Sequence, residues 1–403
     1  MNPFKTFKYY KIIFFGIYLL IFFLAINDLN AQTIDEVLQK GIKLREKGNL
    51  DKSLEILKQA EKQDQKNSEV LYQIALTYIE KDKIEYRMLA SDYLERAIKL
   101  NPKNTEYLFE YGKLKKRQGY KWNAEQIYLN LKSMDINHVN VLLELAELYI
   151  KEGEWFKNLL DFKMVRAGVT MKIELNKFSD ENIMLSESLL IKALEIDPEN
   201  ETAFYLLGRI SELNKNWDKM EKLFKKAVEI KPDFKDALLF LGYSYYMQKK
   251  YVNAFKAFET AKNLMAPDEL SVMESFNRVF DKEAESDESY WVSRNPSFLT
   301  EVNFRKLEHY ARVAYANLHY TKPQMNLPGW KSERGQVLIR FGKPRVLIRT
   351  APNASFYPQG VIMGENNVTS QSGNDLQFVS TRLGRQKYFQ HAEEWWAYDD
   401  IFL

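Results

Sequence analysis

Small residues recur through the first two thirds of the chain at a spacing that few folds produce. One series, Gly41, Ala75, Gly112, Ala146, Gly208 and Gly242, advances by 34, 37, 34, 62 and 34 residues. A second series, Ala60, Ala97, Leu131, Ala193, Ala227 and Ala261, advances by the same steps. Two independent registers agreeing at every step mark a unit of 34 residues, repeated six times over 34–267 and interrupted by two insertions. Each register centres on one helix, so the unit reads as a helical pair. Pro102, Pro198 and Pro232 share one phase and follow KLN, EID and EIK. Proline cannot continue a helix, so it closes the unit there.

The pattern has a steric basis. A small residue lets the first helix of a pair nest against the second, and large apolar residues then fill the space between pairs. One pair cannot bury its own face, so the array is stable only as a stack. In residues 201–234 the marks are Leu207-Gly208, Phe224, Ala227 and Pro232; in 235–267 they are Leu241-Gly242, Tyr245, Ala254, Phe258 and Ala261. On these residues the segment resembles the tetratricopeptide repeat, which implies an α-solenoid with a concave face lined by first helices. Tyr205, Arg209, Phe240 and Tyr243 are the candidates for that face, and a protein or peptide is the implied partner. The same aromatics are equally suited to packing on the next repeat.

The first insertion adds three residues near Lys81–Met88 and reads as a longer inter-helix turn. The second adds 28 residues and centres on 152–182, with Trp155, Phe156, Phe162, Met164 and Phe178. So apolar a stretch is no solvated loop. It is either a helix or hairpin packed back on the array or a flap that binds a partner.

Composition narrows the function. The chain has 58 Lys plus Arg against 55 Asp plus Glu, too even for a nucleic-acid binder. It has no cysteine, which excludes disulfides, thiolate-bound zinc, iron–sulfur clusters and the lipidated cysteine of a bacterial lipoprotein. A mean hydropathy of −0.44 excludes a polytopic membrane protein. At the N-terminus Lys5, Lys8 and Lys11 precede fifteen uncharged residues, 12–26, and then Leu29-Asn30-Ala31. This is the order of an export signal over 1–31. The run is short of the roughly 20 apolar residues of a spanning helix, so retention as an anchor is the competing reading. The expected location is the periplasm or the membrane of a bacterial envelope, with membrane contact only through an uncleaved N-terminal segment.

After Pro267 the pattern changes. A helix is expected over 268–285, a break at Tyr290–Pro296, and a second helix over 299–320 with Val302, Leu307, Tyr310, Val313 and Ala314 on one stripe. The turn NLPGW follows, then QVLIRFG (336–342) as a strand and Arg345–Arg349 as a further extended piece. Five motifs occur in order: Trp291…Arg294-Asn295-Pro296; Arg305…Asn317; Gly329-Trp330-Lys331-Ser332-Glu333-Arg334-Gly335; Ile339–Pro344; and Glu394-Trp395-Trp396-Ala397-Tyr398. Together they resemble the bacterial GWxTD domain, with Ser332 and Glu333 in place of the Thr and Asp and Asn295 in place of the usual Asp before proline. The resemblance implies a small α+β domain behind the repeats, over 268–403, and transfers no enzymatic activity.

Two roles are open for the motif. In one, Ser332 holds the turn, Glu333 and Arg334 pair, Arg340 meets a carboxylate across a sheet, and Trp330, Trp395 and Trp396 supply bulk. In the other, the same residues form an exposed groove that grips a partner. Residues 351–390 read as a long loop, and the apolar ending Ile401-Phe402-Leu403 suggests a domain that continues beyond the last residue.

The four histidines, His138, His309, His319 and His391, make no zinc-binding pair, and no nucleophile elbow, phosphate loop or dinucleotide fingerprint is present. No catalytic residue, metal or cofactor is assigned. The sequence therefore reads as a mostly α chain, a tetratricopeptide α-solenoid followed by a small α+β domain, acting as an exported scaffold. A cell-envelope enzyme with its site in the last domain is the alternative.

Overall fold

A computed structural model describes residues 34–157, 162–166, 169–173, 175–275, 288–295, 302–343, 346–349 and 394–397. The N-terminal targeting segment and the 351–390 segment lie outside these residues. The described chain forms two compact units divided between Leu131 and Lys132.

The first unit is three helical pairs: α1 (34–46) with α2 (Leu50–Gln63), α3 (Ser68–Glu80) with α4 (Tyr86–Leu100), and α5 (Thr105–Arg117) with α6 (Lys121–Met134). The second begins with α7 (Val139–Lys157), a ribbon of β1 (Phe162–Arg166) and β2 (Val169–Ile173), and α8 (Leu175–Ile196). Then come α9 (Glu201–Leu213) with α10 (Trp217–Ile230) and α11 (Lys235–Met247) with α12 (Tyr251–Lys262). The terminal helices are α13 (Pro267–Glu274), α14 (Glu288–Ser293), α15 (Phe304–Tyr320) and α16 (Glu333–Phe341); β3 (Val346–Arg349) pairs antiparallel with β4 (Glu394–Ala397).

The two registers are the contact points of the helical pairs. A Cβ built on Gly41, Gly112, Gly208 or Gly242 would lie 2.6–2.7 Å from the residue sixteen places on, respectively Leu57, Tyr128, Phe224 and Phe258. Ala60, Ala97, Ala193, Ala227 and Ala261 are fully buried. A third register appears in the turns. Gly48, Asp82, Gly119, Lys215 and Lys249, each seven residues after the small residue, all have φ between 49° and 90°. A left-handed residue is what reverses the chain between two antiparallel helices, and three non-glycine residues bear that strain. The three extra residues of the second repeat follow Asp82. Asn67, Asn104 and Asn200 cap α3, α5 and α9, each side chain accepting from N–H groups of the first turn.

The 28-residue insertion lengthens α7 to 19 residues and α8 to 22 and places the β1–β2 ribbon between them. Among the described residues no helix is long and apolar enough to cross a membrane.

The core of the second unit does not stop at Pro267. Phe224, Phe240 and Phe258 of the repeats share one buried cluster with Leu307, Tyr310 and Val313 of α15 and Leu338 and Ile339 of α16. The terminal helices therefore complete the last repeats instead of standing apart. Two expected boundaries shift: the helix after Pro267 ends at Glu274, and Tyr290–Ser293 lie in the short helix α14.

One polar contact links neighbouring repeats in a way pH will reveal. Burial pushes the Glu221 carboxyl up, but hydrogen bonds from Lys225 (2.6 Å), Lys250 (2.7 Å) and Gln248 (3.0 Å) outweigh it and hold the group at about 2, against 4.5 ordinarily. A depressed carboxyl contributes stability that is complete above about pH 4.5 and disappears as pH falls toward 2. Glu221→Gln is expected to remove roughly 2–3 kcal/mol at neutral pH and to flatten that part of the acid-unfolding curve. Urea midpoints of both proteins across this range provide the measurement.

Candidate functional site

In each first helix the residues three before, one after and four after the small residue share one side. In the second unit this side includes Tyr205, Arg209 and Glu212 of α9 and Tyr243 of α11. It is covered by the chain itself. α15 crosses it antiparallel to α11: Tyr315 stacks 5.5 Å from Tyr243, and His319 stands edge-on 6.0 Å from Phe240. His319 Nε2 lies 3.5 Å from Glu212 Oε1. Arg209, Glu212 and Tyr243 are only 7%, 8% and 4% exposed in consequence.

The sequence reading of these four residues as a receptive surface is thus corrected. Phe240 is fully buried because it stacks 5.0 Å from Phe224, between successive repeats. Tyr205 is half-buried against Phe224, Phe234 and Phe240. Tyr243 is sealed further by Lys343, whose ammonium donates to its hydroxyl at 3.1 Å and lies 4.3 Å from the Tyr315 ring centre. Lys343 is an exposed residue, but its ammonium lies among these rings; burial there pushes its pKa down, with Glu212 opposing. Asp236, at the start of α11, is pushed up by burial and by Glu269, against Lys235 and Arg209. Lys235 pairs with Glu269 at 2.7 Å, and Asn317 of α15 donates to the same carboxylate at 3.1 Å.

The Gly-Trp motif fastens α15 and α16 together. Gly329 lies so close to α15 that a Cβ would stand 1.9 Å from the Ala316 carbonyl oxygen, and a Cβ on Gly335 would stand 1.9 Å from the Gly329 carbonyl oxygen. The Trp330 N–H donates to Asn317 Oδ1 at 3.0 Å, and its half-buried ring packs on the core. Ser332 is buried; its hydroxyl donates to the Gly329 carbonyl at 2.6 Å and accepts from the Gly335 N–H at 3.1 Å.

Ser332 therefore caps a helix, and the strand expected at 336–341 is α16. Val337-Leu338-Ile339 favours a strand by composition, yet Gly335, Leu338 and Ile339 bury at helical spacing behind a serine cap and an acidic first turn. Arg340 accordingly lies exposed on a helix, its guanidinium 5.6 Å from the Phe341 ring, and the pairing across a sheet is not made. Glu333 is exposed and Arg334 half-buried on the same helix. Trp395 and Trp396 lie in β4, in register with Ile348 and Leu347. The motif residues up to Gly335 hold the fold together and form no groove.

The first unit presents the same side without α15. Ile42, Arg45, Leu76, Ile79 and Phe109 are half-buried and Lys113 is exposed. Arg45 pairs with Glu80 across α1 and α3; Tyr72 donates to Glu106 across α3 and α5 at 3.0 Å. Burial, reinforced by Glu106, pushes the Tyr72 hydroxyl far above its usual range, so it remains a donor. The result is an apolar strip, Ile42–Leu76–Ile79–Phe109, edged by charges of both signs. Its members were legible as the 34-residue equivalents of Tyr205 and Arg209, and the sequence reading passed over them. His309, by contrast, is a satisfied core residue, its Nε2 2.8 Å from the Val272 carbonyl.

No family profile matches the chain, and no curated protein matches it. Among solved structures it is similar to a tetratricopeptide repeat protein from Parabacteroides merdae, with 17% identity over 70% of this chain and 99% of that one and a TM-score of 0.46. It is also similar to PilW, a type IV pilus biogenesis factor, with 16% identity, coverage of 58% and 93% and a TM-score of 0.45. A third is YrrB, a tetratricopeptide repeat protein with an unusual peptide-binding site, with 18% identity, coverage of 52% and 95% and a TM-score of 0.36. The helical-pair architecture rests on the contacts described above.

Proposed function

We propose that the chain is a protein-binding scaffold whose receptive surface is the first-helix side of α1, α3 and α5. The observation that supports this reading is the contrast between the two units. Equivalent positions are occupied by α15 in the second unit and open among the described residues of the first. Where it is covered, that side receives an aromatic, amphipathic helix; an apolar strip with charged margins suits the same class of ligand, an amphipathic helical or extended peptide. The alternative of an enzyme has less support, since the buried Glu212, Asp236 and His319 serve the α15 contact. We further propose export to the bacterial envelope through residues 1–31, and docking of a second component on the exposed side of α16, around Glu333 and Arg340. The Gly329–Gly335 segment positions that helix.

The test is photo-crosslinking from position 76 in the full chain, followed by mass spectrometry of the adduct. Leu76→Asp with Ile79→Asp is expected to weaken binding of the crosslinked partner at least about tenfold, since apolar contacts at the centre of an interface dominate its affinity. Glu55→Lys, on the exposed side of α2, is expected to leave it unchanged. Equal affinity in both variants would move the site elsewhere.

A further inference from the structure

We propose that the β1–β2 ribbon is a docking element for an anionic lipid surface. The register assigns two unlike faces to it. Phe162 pairs with Ile173, Met164 with Met171 and Arg166 with Val169 on one face; Lys163 pairs with Lys172 and Val165 with Thr170 on the other. Five of the six positions on the first face are apolar. Residues 162–173 carry three cations and no acid, in a chain whose charges otherwise nearly balance.

Neither face suits water. A two-stranded ribbon alone is marginally stable there, and like charges directly opposed across strands weaken it further. Lys163 opposite Lys172 is such a pair. A single carboxylate of a partner protein would satisfy one of them. A sheet of anionic headgroups provides a field for both, and the acyl boundary takes up the apolar face. Basic and apolar residues without an acid are the composition of an interfacial segment. Acids return at Asp161 and Glu174, at the base of the ribbon, which limits the footprint to its outer part. The ribbon stands between α7 and α8, which at 19 and 22 residues exceed every other helix of the repeats. This inference is independent of the partner strip on the first unit.

The chain has no cysteine, so Val169→Cys gives a single attachment site for an environment-sensitive dye in the full chain. With phosphatidylcholine vesicles containing about a third phosphatidylglycerol, the dye is expected to shift to the blue, and it stays in water with phosphatidylcholine alone. The dye reports only its own surroundings, so attachment of the chain through residues 12–26 does not move it. Lys163→Gln with Lys172→Gln is expected to weaken the partition about thirtyfold, at about fivefold per cation. In the V169C chain, raising salt to about 1 M is expected to reverse the shift, a check that needs no further variant. A dye that remains in water with anionic vesicles, that shifts equally on neutral ones, or that responds only to an acidic protein would overturn the proposal.

Discussion

Gly329→Ala is expected to lower the stability of the second unit by about 3 kcal/mol or more, near the upper end of what overpacking costs. The reason lies in what the new methyl group would meet. It would stand 1.9 Å from the Ala316 carbonyl oxygen and 2.5 Å from its carbon, and both belong to the backbone of α15. Backbone inside a helix does not rotate aside, so the Gly329 turn and α16 behind it must move away. That movement breaks the Trp330 N–H bond to Asn317 and draws Leu338 and Ile339 out of the shared core. Gly208→Ala is the informative comparison. Its methyl group would meet the Phe224 ring at 2.7 Å, a side chain that can tilt, and about 1–2 kcal/mol is expected. Calorimetry on the full chain separates the two, because at roughly 2–4 °C per kcal/mol the Gly329 variant should melt about 10 °C lower. Equal melting temperatures for G329A and the unsubstituted chain would refute the packing of α16 on α15.

The repeat was legible in the sequence because its cause is local and steric. Where two helices approach closely only glycine or alanine fits, so the contact points print themselves at fixed intervals. The asparagine caps and the closing prolines do the same for the ends. Misreading α16 had the opposite cause. Val337, Leu338 and Ile339 have strand propensity, and a nine-residue helix gives little periodicity to set against it. The decisive signals were single residues, Ser332 as a cap and Gly335 beneath it.

The covering of Tyr243 was not legible at all. The sequence shows that this side of α11 is aromatic and needs a neighbour, but Lys343 arrives from 100 residues away and Tyr315 from 72. A hint existed in α15 itself. Phe304, Tyr310, Tyr315 and Tyr320 do not fall on one stripe, and a helix aromatic on several sides is packed on several sides. Reading it as a one-sided helix of a separate domain hid the surface it occupies.

Tyr310→Ala tests that occupation directly. Tyr310 is fully buried where α15 meets α12, with its ring 6.0 Å from Phe258 and 6.2 Å from Phe255. Its hydroxyl donates to Glu259 at 3.2 Å and accepts from Lys262 at 3.3 Å. Burial, reinforced by Glu259, pushes the hydroxyl well above its ordinary range, so it stays protonated at any pH the fold survives. Truncation to alanine removes the ring and is expected to cost about 4 kcal/mol, the range for a fully buried aromatic. Tyr310→Phe keeps the ring and removes the hydroxyl, at about 1 kcal/mol. The two therefore separate packing from polar contact. If α15 is what closes the first-helix side, the consequence extends beyond stability. With Tyr243→Cys as the only thiol, labelling at position 243 should be slow in the Y310F background. It should accelerate more than about tenfold in Y310A, where α15 lifts and position 243 reaches solvent. Equal labelling rates in the two backgrounds would mean that α15 does not govern access to α11.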